Sequence, residues 1–416
     1  MSADPAASTK PLGEPASAAH SHDPAAGWSS PAAATADGPP TDAGSRRRLP
    51  AAAPALLAYV LLRAAGLIVL WIFSHRAGAD FWSLLHSRYD SLWYAQIADQ
   101  GYDQSLDNVG PDGKPRLPNL PFFPLYPGLT AGVAAVTPFS IPVAALVVSW
   151  VAGIAAAWGI YAVGVQLASR RVGLLLVALW AVLPHAVVQN MAYTETLFTA
   201  LVAWTLYALL RRRWLTAGVL CLVAGFSRPT ASALIAAVGV AALVAVARRQ
   251  DGWRPWVAGL LAPLGYLGYL AWIGQRLGRV DAYFHIQSTT WKIGFDGGVD
   301  TFATFRQVLT KAVPLSFYTS TLLMALAAVL VVLLVLDRYP LPVVVYSLTF
   351  LVLTVGTEEY YWAKGRYLVP AFTLLLPVAL ALGKARLRTR ILVLGLLALI
   401  SAWYGTYLSL IWTYSP

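Results

Sequence analysis

Apolar stretches of near-spanning length follow one another from Pro54 onward, at about 51–74, 141–168, 172–188, 192–210, 214–228, 230–247, 254–276, 316–336, 340–356, 367–383 and 391–411. A bilayer core of about 30 Å needs about twenty apolar residues per helix, so several of these runs are marginal taken singly. Together they predict an all-α polytopic membrane protein with about eleven transmembrane helices. Before them, residues 1–50 are rich in Ala, Pro, Ser and Gly, lack apolar periodicity and end in Arg46-Arg47-Arg48. Such a segment cannot bury enough surface to offset its ordering entropy, and it reads as a disordered cytoplasmic tail. It is not a cleavable signal peptide, because the first apolar run starts about fifty residues in and is too long for an h-region. Residues 51–416 form the transmembrane domain.

The basic clumps give this pattern a direction. With Arg46–Arg48 in the cytoplasm, eleven spans put Arg170-Arg171, Arg211–Arg213, Arg248-Arg249, Asp337-Arg338 and Lys384–Arg390 on the same side, as the positive-inside bias requires. The apolar stretch 121–136 is left uncounted, since a full span there would invert every later loop. Its Pro121, Pro124 and Pro127 predict a segment that dips in without crossing, backed by protein. Polar segments at about 77–120, 278–315 and 357–366 then lie outside. The first of them holds six of the nineteen acids: Asp80, Asp90, Asp99, Asp103, Asp107 and Asp112.

Composition removes other classes. At 58% hydrophobic and 12% charged, with mean hydropathy +0.61, the chain is not a soluble globular protein. Its net charge of +11 sits in short clumps between apolar runs, which points to the membrane surface and not to nucleic acid. Cys221 is the single cysteine, so there is no intrachain disulfide and no soft metal-ligand cluster; no metal or other cofactor is expected.

The candidate chemistry gathers on the outer side. His86-Ser87-Arg88-Tyr89-Asp90-Ser91-Leu92-Trp93-Tyr94 suits a short interfacial helix with Asp90 near its first turn. A carboxylate at the edge of hydrocarbon is partly desolvated and more basic, which makes Asp90 a candidate general base; a salt bridge to Arg88 or a helix cap is the plainer alternative. Leu120 to Pro127 is a rigid aromatic and proline segment containing Tyr126. Glu195 lies in the first turn of a helix entered from outside, where the dipole favours an acid. His185, just past Pro184, reads as a satisfied interfacial histidine. Arg228 and Arg366 both fall at the outer boundary, where guanidinium groups clamp phosphate oxygens or snorkel to headgroups. Arg63, in the middle of the first run, requires an internal partner.

These motifs resemble those of a known family. Arg88-Tyr89-Asp90-Ser91-Leu92-Trp93-Tyr94 through Gly101-Tyr102 resembles the Arg-Trp-Asp-x-x-Trp-Tyr…Gly-Tyr signature of the PIG-V-like mannosyltransferases, bacterial relatives of GPI mannosyltransferase II in the GT-C superfamily. Phe122-Phe123-Pro124-Leu125-Tyr126-Pro127 resembles that family's Phe-Phe-Pro-x-x-Pro element. Tyr193-Thr194-Glu195-Thr196-Leu197-Phe198 is similar to its Tyr-Thr/Ser-Glu-Ser-Leu-Phe, Ser227-Arg228-Pro229-Thr230 to its Thr-Arg-Pro-Thr/Asn, and Arg366-Tyr367 with Pro370 to its Arg-Tyr-x-x-Pro. Residues 278–291, with Asp281, Gln287 and Trp291, resemble the second outer loop of the bacterial members. The resemblance covers about 55–411; Tyr89 stands where the family has Trp.

The resemblance implies a GT-C-like fold in a bacterial plasma membrane and a polyprenyl-phosphate sugar donor, with mannose the expected sugar. It further implies inverting transfer to an acceptor hydroxyl of a glycan, lipid or protein outside the cytoplasm, with no obligatory metal or nucleotide. Asp90 would be the base, with Arg228, Arg366 and Lys364 around the donor phosphate. Glu195 would orient a sugar hydroxyl or hold an arginine, while Arg88, Tyr94, Tyr126, Gln287 and Trp291 would bind or orient substrate. Two other readings remain at this point: a transporter or flippase of lipid-linked sugars, which would show repeated halves and ionisable residues along a path, and a non-catalytic partner of a glycosylation enzyme, in which Asp90 is dispensable.

Overall fold

The computed structural model describes residues 51–106 and 116–416; the proposed tail, with Asp107 and Asp112, lies outside these residues. Each of the eleven apolar runs carries helix, and among the described residues the sole β-type pairing is a bridge between Phe295 and Thr357. In chain order, α1 (Ala53–Arg76) leads into the first polar segment, which holds α2 (Phe81–His86) and α3 (Asp90–Gln100). Then follow α4 (Leu125–Val136), α5 (Ile141–Leu167), α6 (Arg170–Ala181), α7 (Glu195–Leu210), α8 (Trp214–Gly225) and α9 (Ala231–Ala247). A pair, α10 (Arg254–Leu261) and α11 (Leu264–Leu277), leads into the second polar segment with α12 (Ala282–Thr289) and α13 (Val299–Thr310). The remainder is α14 (Leu315–Leu336), α15 (Leu341–Gly356), α16 (Lys364–Tyr367), α17 (Leu376–Lys384) and α18 (Leu387–Leu410).

Five helical stretches are long and apolar enough to cross a bilayer: α1, α5, α10 with α11, α14 and α18. A sixth is formed if Tyr361–Tyr367 and Phe372–Lys384, bent by 73° at their break, act as one broken span. The bend follows from Pro370, which cannot continue a helix, and it leaves α16 free to hold its own direction. Helices α4, α7, α8, α9 and α15 are apolar but shorter, with 10–17 residues each. At 1.5 Å per residue, the 12-residue α4 rises about 18 Å, short of a bilayer core. Helices α6 and α8 also have 12 residues, so length does not set α4 apart from the runs expected to cross.

Close packing of α5 on α6 and α7 sets the centre of the bundle. Small residues allow it: a Cβ on Gly164 would sit 2.6 Å from the Gly173 Cα, so the two backbones touch only because both positions lack side chains. The mid-helix cation Arg63 finds its partners here, donating to the Ala181 carbonyl (2.7 Å) and to Asn190 Oδ1 (3.3 Å). In the first polar segment the acids have separate duties. Asp80 caps α2 by accepting from the amides of Trp82 and Ser83. Asp103 accepts from the Asn119 amide (2.8 Å) and from Arg116 (2.8 Å), closing the base of the loop. Asp90 is left for the site.

Candidate functional site

Four charged side chains from four separate motifs meet in one buried cluster. Asp90 is the first residue of α3, Glu195 the first of α7, Arg228 lies in the turn between α8 and α9, and Arg366 lies on α16. Glu195 Oε1 forms an ion pair with Arg228 Nη1 at 2.8 Å and accepts from Arg366 Nε at 2.6 Å, while Arg366 Nη2 pairs with Asp90. Charges therefore alternate along the chain Asp90, Arg366, Glu195, Arg228, with two of each sign. Glu195 is fully buried and both arginines nearly so, whereas the Asp90 side chain keeps 25% of its surface open. A buried carboxylate is tolerable only with compensating charge and donors, and two guanidiniums supply both. Glu195 Oε2, by contrast, accepts no hydrogen bond.

The surroundings hold Arg366 in place. Its guanidinium lies 4.5 Å from the centre of the Tyr193 ring, and Nη1 donates to Ser415 Oγ at 2.6 Å. Arg228 also donates to Thr194 Oγ1 (3.3 Å), which the Tyr94 hydroxyl approaches at 3.4 Å. Burial, with the Asp90 charge beside it, holds the Tyr94 phenol well above its ordinary pKa, so it stays protonated and able to donate. Tyr89, which positions Asp90, has φ 54° and ψ −127°, a conformation costly for a residue with a Cβ. Strain of this kind persists only where the surroundings enforce it, here in the residue that opens α3.

Other expected site residues lie elsewhere. Lys364 is fully buried and turned away from the cluster: its ammonium donates to Thr301 Oγ1 (2.5 Å) and to the carbonyls of Thr357 (2.5 Å) and Thr354 (3.1 Å). With its donors thus engaged it is a staple between polar segments and has no free hydrogen to offer a phosphate. Arg88 does not pair with Asp90; its guanidinium donates to the Ser409 carbonyl (3.2 Å) on α18. Tyr126 is a fully buried core residue whose hydroxyl meets the Ala145 carbonyl and Ser149 Oγ, both at 2.8 Å, so its ring offers no face to a ligand. Gln287 donates to the Tyr283 hydroxyl (2.8 Å) and Trp291 to the Pro118 carbonyl (3.1 Å). Trp291 packs edge-on to Trp93 and Phe122, an aromatic group beside α3 but outside the charged cluster. His185 is not the hydrogen-bonded histidine expected: neither ring nitrogen has a partner, and the ring packs on Tyr404 and against Gly365.

Sequence reading missed three contributors. Tyr193 and Thr194 stand beside Glu195 in its motif, and their roles emerge only when Arg366 and Arg228 arrive. Ser415 comes from the last residues of the chain, where Trp412 also packs on Trp362, and no motif there marks them.

No family model matches the chain, and no curated protein does. Among solved structures it is similar to ArnT from Cupriavidus metallidurans in a crystal structure bound to undecaprenyl phosphate, with a TM-score of 0.52 at 14% identity. The fold is GT-C-like. The match covers 81% of this chain and 63% of ArnT, so this chain corresponds to less than two thirds of that protein's length. At this identity the likeness concerns the path of the helices.

Proposed function

We propose that the protein is an inverting glycosyltransferase of the PIG-V-like kind, moving a sugar, with mannose the expected one, from a polyprenyl phosphate to an acceptor hydroxyl on the extracytoplasmic face of a bacterial plasma membrane. The observation that carries this reading is the cluster itself: a partly open carboxylate held against two buried guanidiniums, all from motifs that resemble one family. Similarity in fold to a protein bound to undecaprenyl phosphate supports the class of donor.

In this mechanism the donor's phosphodiester, an anion at headgroup depth, competes with Asp90 for Arg366 and draws on Arg228. Displacement of Arg366 frees a carboxylate oxygen of Asp90 to accept a hydrogen bond from the acceptor hydroxyl. Asp90 then takes the proton of the acceptor hydroxyl as that oxygen bonds to the anomeric carbon. The bond from that carbon to the phosphate oxygen breaks on the opposite face, which inverts the configuration. Polyprenyl phosphate leaves with the bonding pair, and Arg366 and Arg228 stabilise the extra charge that develops on it. Glu195, fully buried, holds both arginines in place through Oε1. Lys364 has no part in these steps.

Purified protein given radiolabelled polyprenyl-phosphate mannose and a membrane extract tests the reading. Movement of label to an acceptor other than the prenyl lipid is the expected result. Label that stays on the lipid and only changes leaflet in proteoliposomes would replace transfer with translocation.

A further inference from the structure

The helix α13 of the second polar segment has three distinct sides. Thr301 and Val308, two turns apart, are buried against the body, with Val308 in one apolar group with Met324 of α14 and Tyr361. About a quarter-turn away, Val299, Phe302, Phe305 and Leu309 form an apolar stripe that is 70%, 64%, 37% and 68% exposed. Asp300 and Gln307 occupy the remaining side. Polar, buried and exposed apolar sectors therefore segregate along the same twelve residues.

Helices that sit in the plane of a membrane interface carry this pattern, with cations flanking the apolar stripe. Here Arg306 lies within the arc of the stripe, between the azimuths of Phe302 and Val299, where its long stem can carry the guanidinium to headgroups, and Lys311 follows the helix end, both exposed. The next helix is α14, one of the five long apolar ones, which starts at Leu315 and carries exposed Tyr318, Leu322 and Leu326 on its first turns. The exposed apolar stripe of α13 is thus followed directly by the exposed apolar face of a helix long enough to cross a bilayer. We propose that α13 docks into the bilayer leaflet on the side of the charged cluster, with Val299, Phe302, Phe305 and Leu309 in hydrocarbon and Arg306 and Lys311 among anionic headgroups.

This docking is tied to the site. Asp296 caps the start of α13 by accepting from the amides of Gly298 (2.7 Å) and Asp300 (2.6 Å). The preceding residues pair with the end of α15, the Asp296 amide donating to the Gly356 carbonyl and the Glu358 amide to the Gly294 carbonyl. Thr301 donates to the Val355 carbonyl and accepts from Lys364, two residues before Arg366. A buried ammonium thus connects the start of α13 to the segment carrying Arg366.

Spin labels on Phe302→Cys, Leu309→Cys and Gln307→Cys variants, in nanodiscs of phosphatidylethanolamine and phosphatidylglycerol, test the docking. Cys221 is buried and stays unlabelled. The expected result is oxygen accessibility at 302 and 309 about threefold or more above that at 307, with accessibility to a water-soluble nickel complex in the reverse order. Nickel accessibility equal at all three positions would overturn the proposal. So would labels at 302 and 309 shielded from both reagents, which would mean that protein, such as a second copy of the chain, covers the stripe.

Discussion

Arg366 touches Asp90 and Glu195 through two nitrogens of one planar guanidinium, which a lysine on the same backbone cannot do. Arg366→Lys keeps the charge and loses the fork, so sugar transfer should fall by about tenfold to a hundredfold with the protein still folded, measured as kcat/KM for the lipid donor. Glu195→Gln asks a different question. It leaves Arg366 with Asp90 alone and Arg228 with no carboxylate partner, and removing one partner from a buried ionic group costs about 3–5 kcal/mol. The detergent-solubilised variant should therefore unfold at a clearly lower temperature than wild type; an unchanged midpoint would mean that the cluster does not exist as described. Asp90, Glu195, Arg228 and Arg366 could each be picked from a local motif, because an isolated charge beside hydrocarbon demands a reason. That a single oxygen of Glu195 serves both arginines was not legible, since it depends on where four distant segments meet. Lys364 misled for a geometric cause: on a helical turn, residues two apart point to nearly opposite sides, about 200° from each other, so proximity to Arg366 in sequence places the ammonium away from it.

The short helix α16 is positioned by contacts at Lys364 and Gly365, the two residues that precede the arginine. A Cβ at Gly365 would collide with the His185 ring. Gly365→Ala should push α16 away and reduce transfer, and adding His185→Ala should restore part of it by opening the space; no recovery in the double variant would show that the ring is not what the methyl meets. Lys364→Met keeps the bulk of the stem and removes the staple to Thr301, Thr354 and Thr357. Hydrogen exchange of residues 294–310 should then quicken by about tenfold or more, whereas a residue acting only on phosphate would leave that exchange unchanged. The apolar runs announced these elements well, down to α15 and α18. They could not announce α13, whose apolar positions are interrupted by Asp300, Arg306 and Gln307, nor Ser415, which reaches Arg366 only because the chain turns back after α18. Tyr126 and Gln287 were drawn to the site by residence in a motif, but a tyrosine with two buried hydrogen-bond partners is packing, and the neighbour of Gln287 is Tyr283.

Across the whole molecule, the basic clumps predict that residues near 137 lie on the same side as the first polar segment. A cysteine at Thr137 should be labelled by an impermeant maleimide from outside intact cells; labelling only from the cytoplasm would invert every later loop and move the charged cluster to the other face. The cluster's place in this arrangement gives the protein its proposed chemistry, and Asp90 is the group on which it turns, the one member of the four with an open side chain. The most direct test compares wild type with Asp90→Asn, at matched folding and expression, for transfer from polyprenyl-phosphate mannose and for donor binding. The account predicts that transfer falls by about a hundredfold or more while the donor still binds. Transfer by Asp90→Asn at the wild-type rate would contradict it.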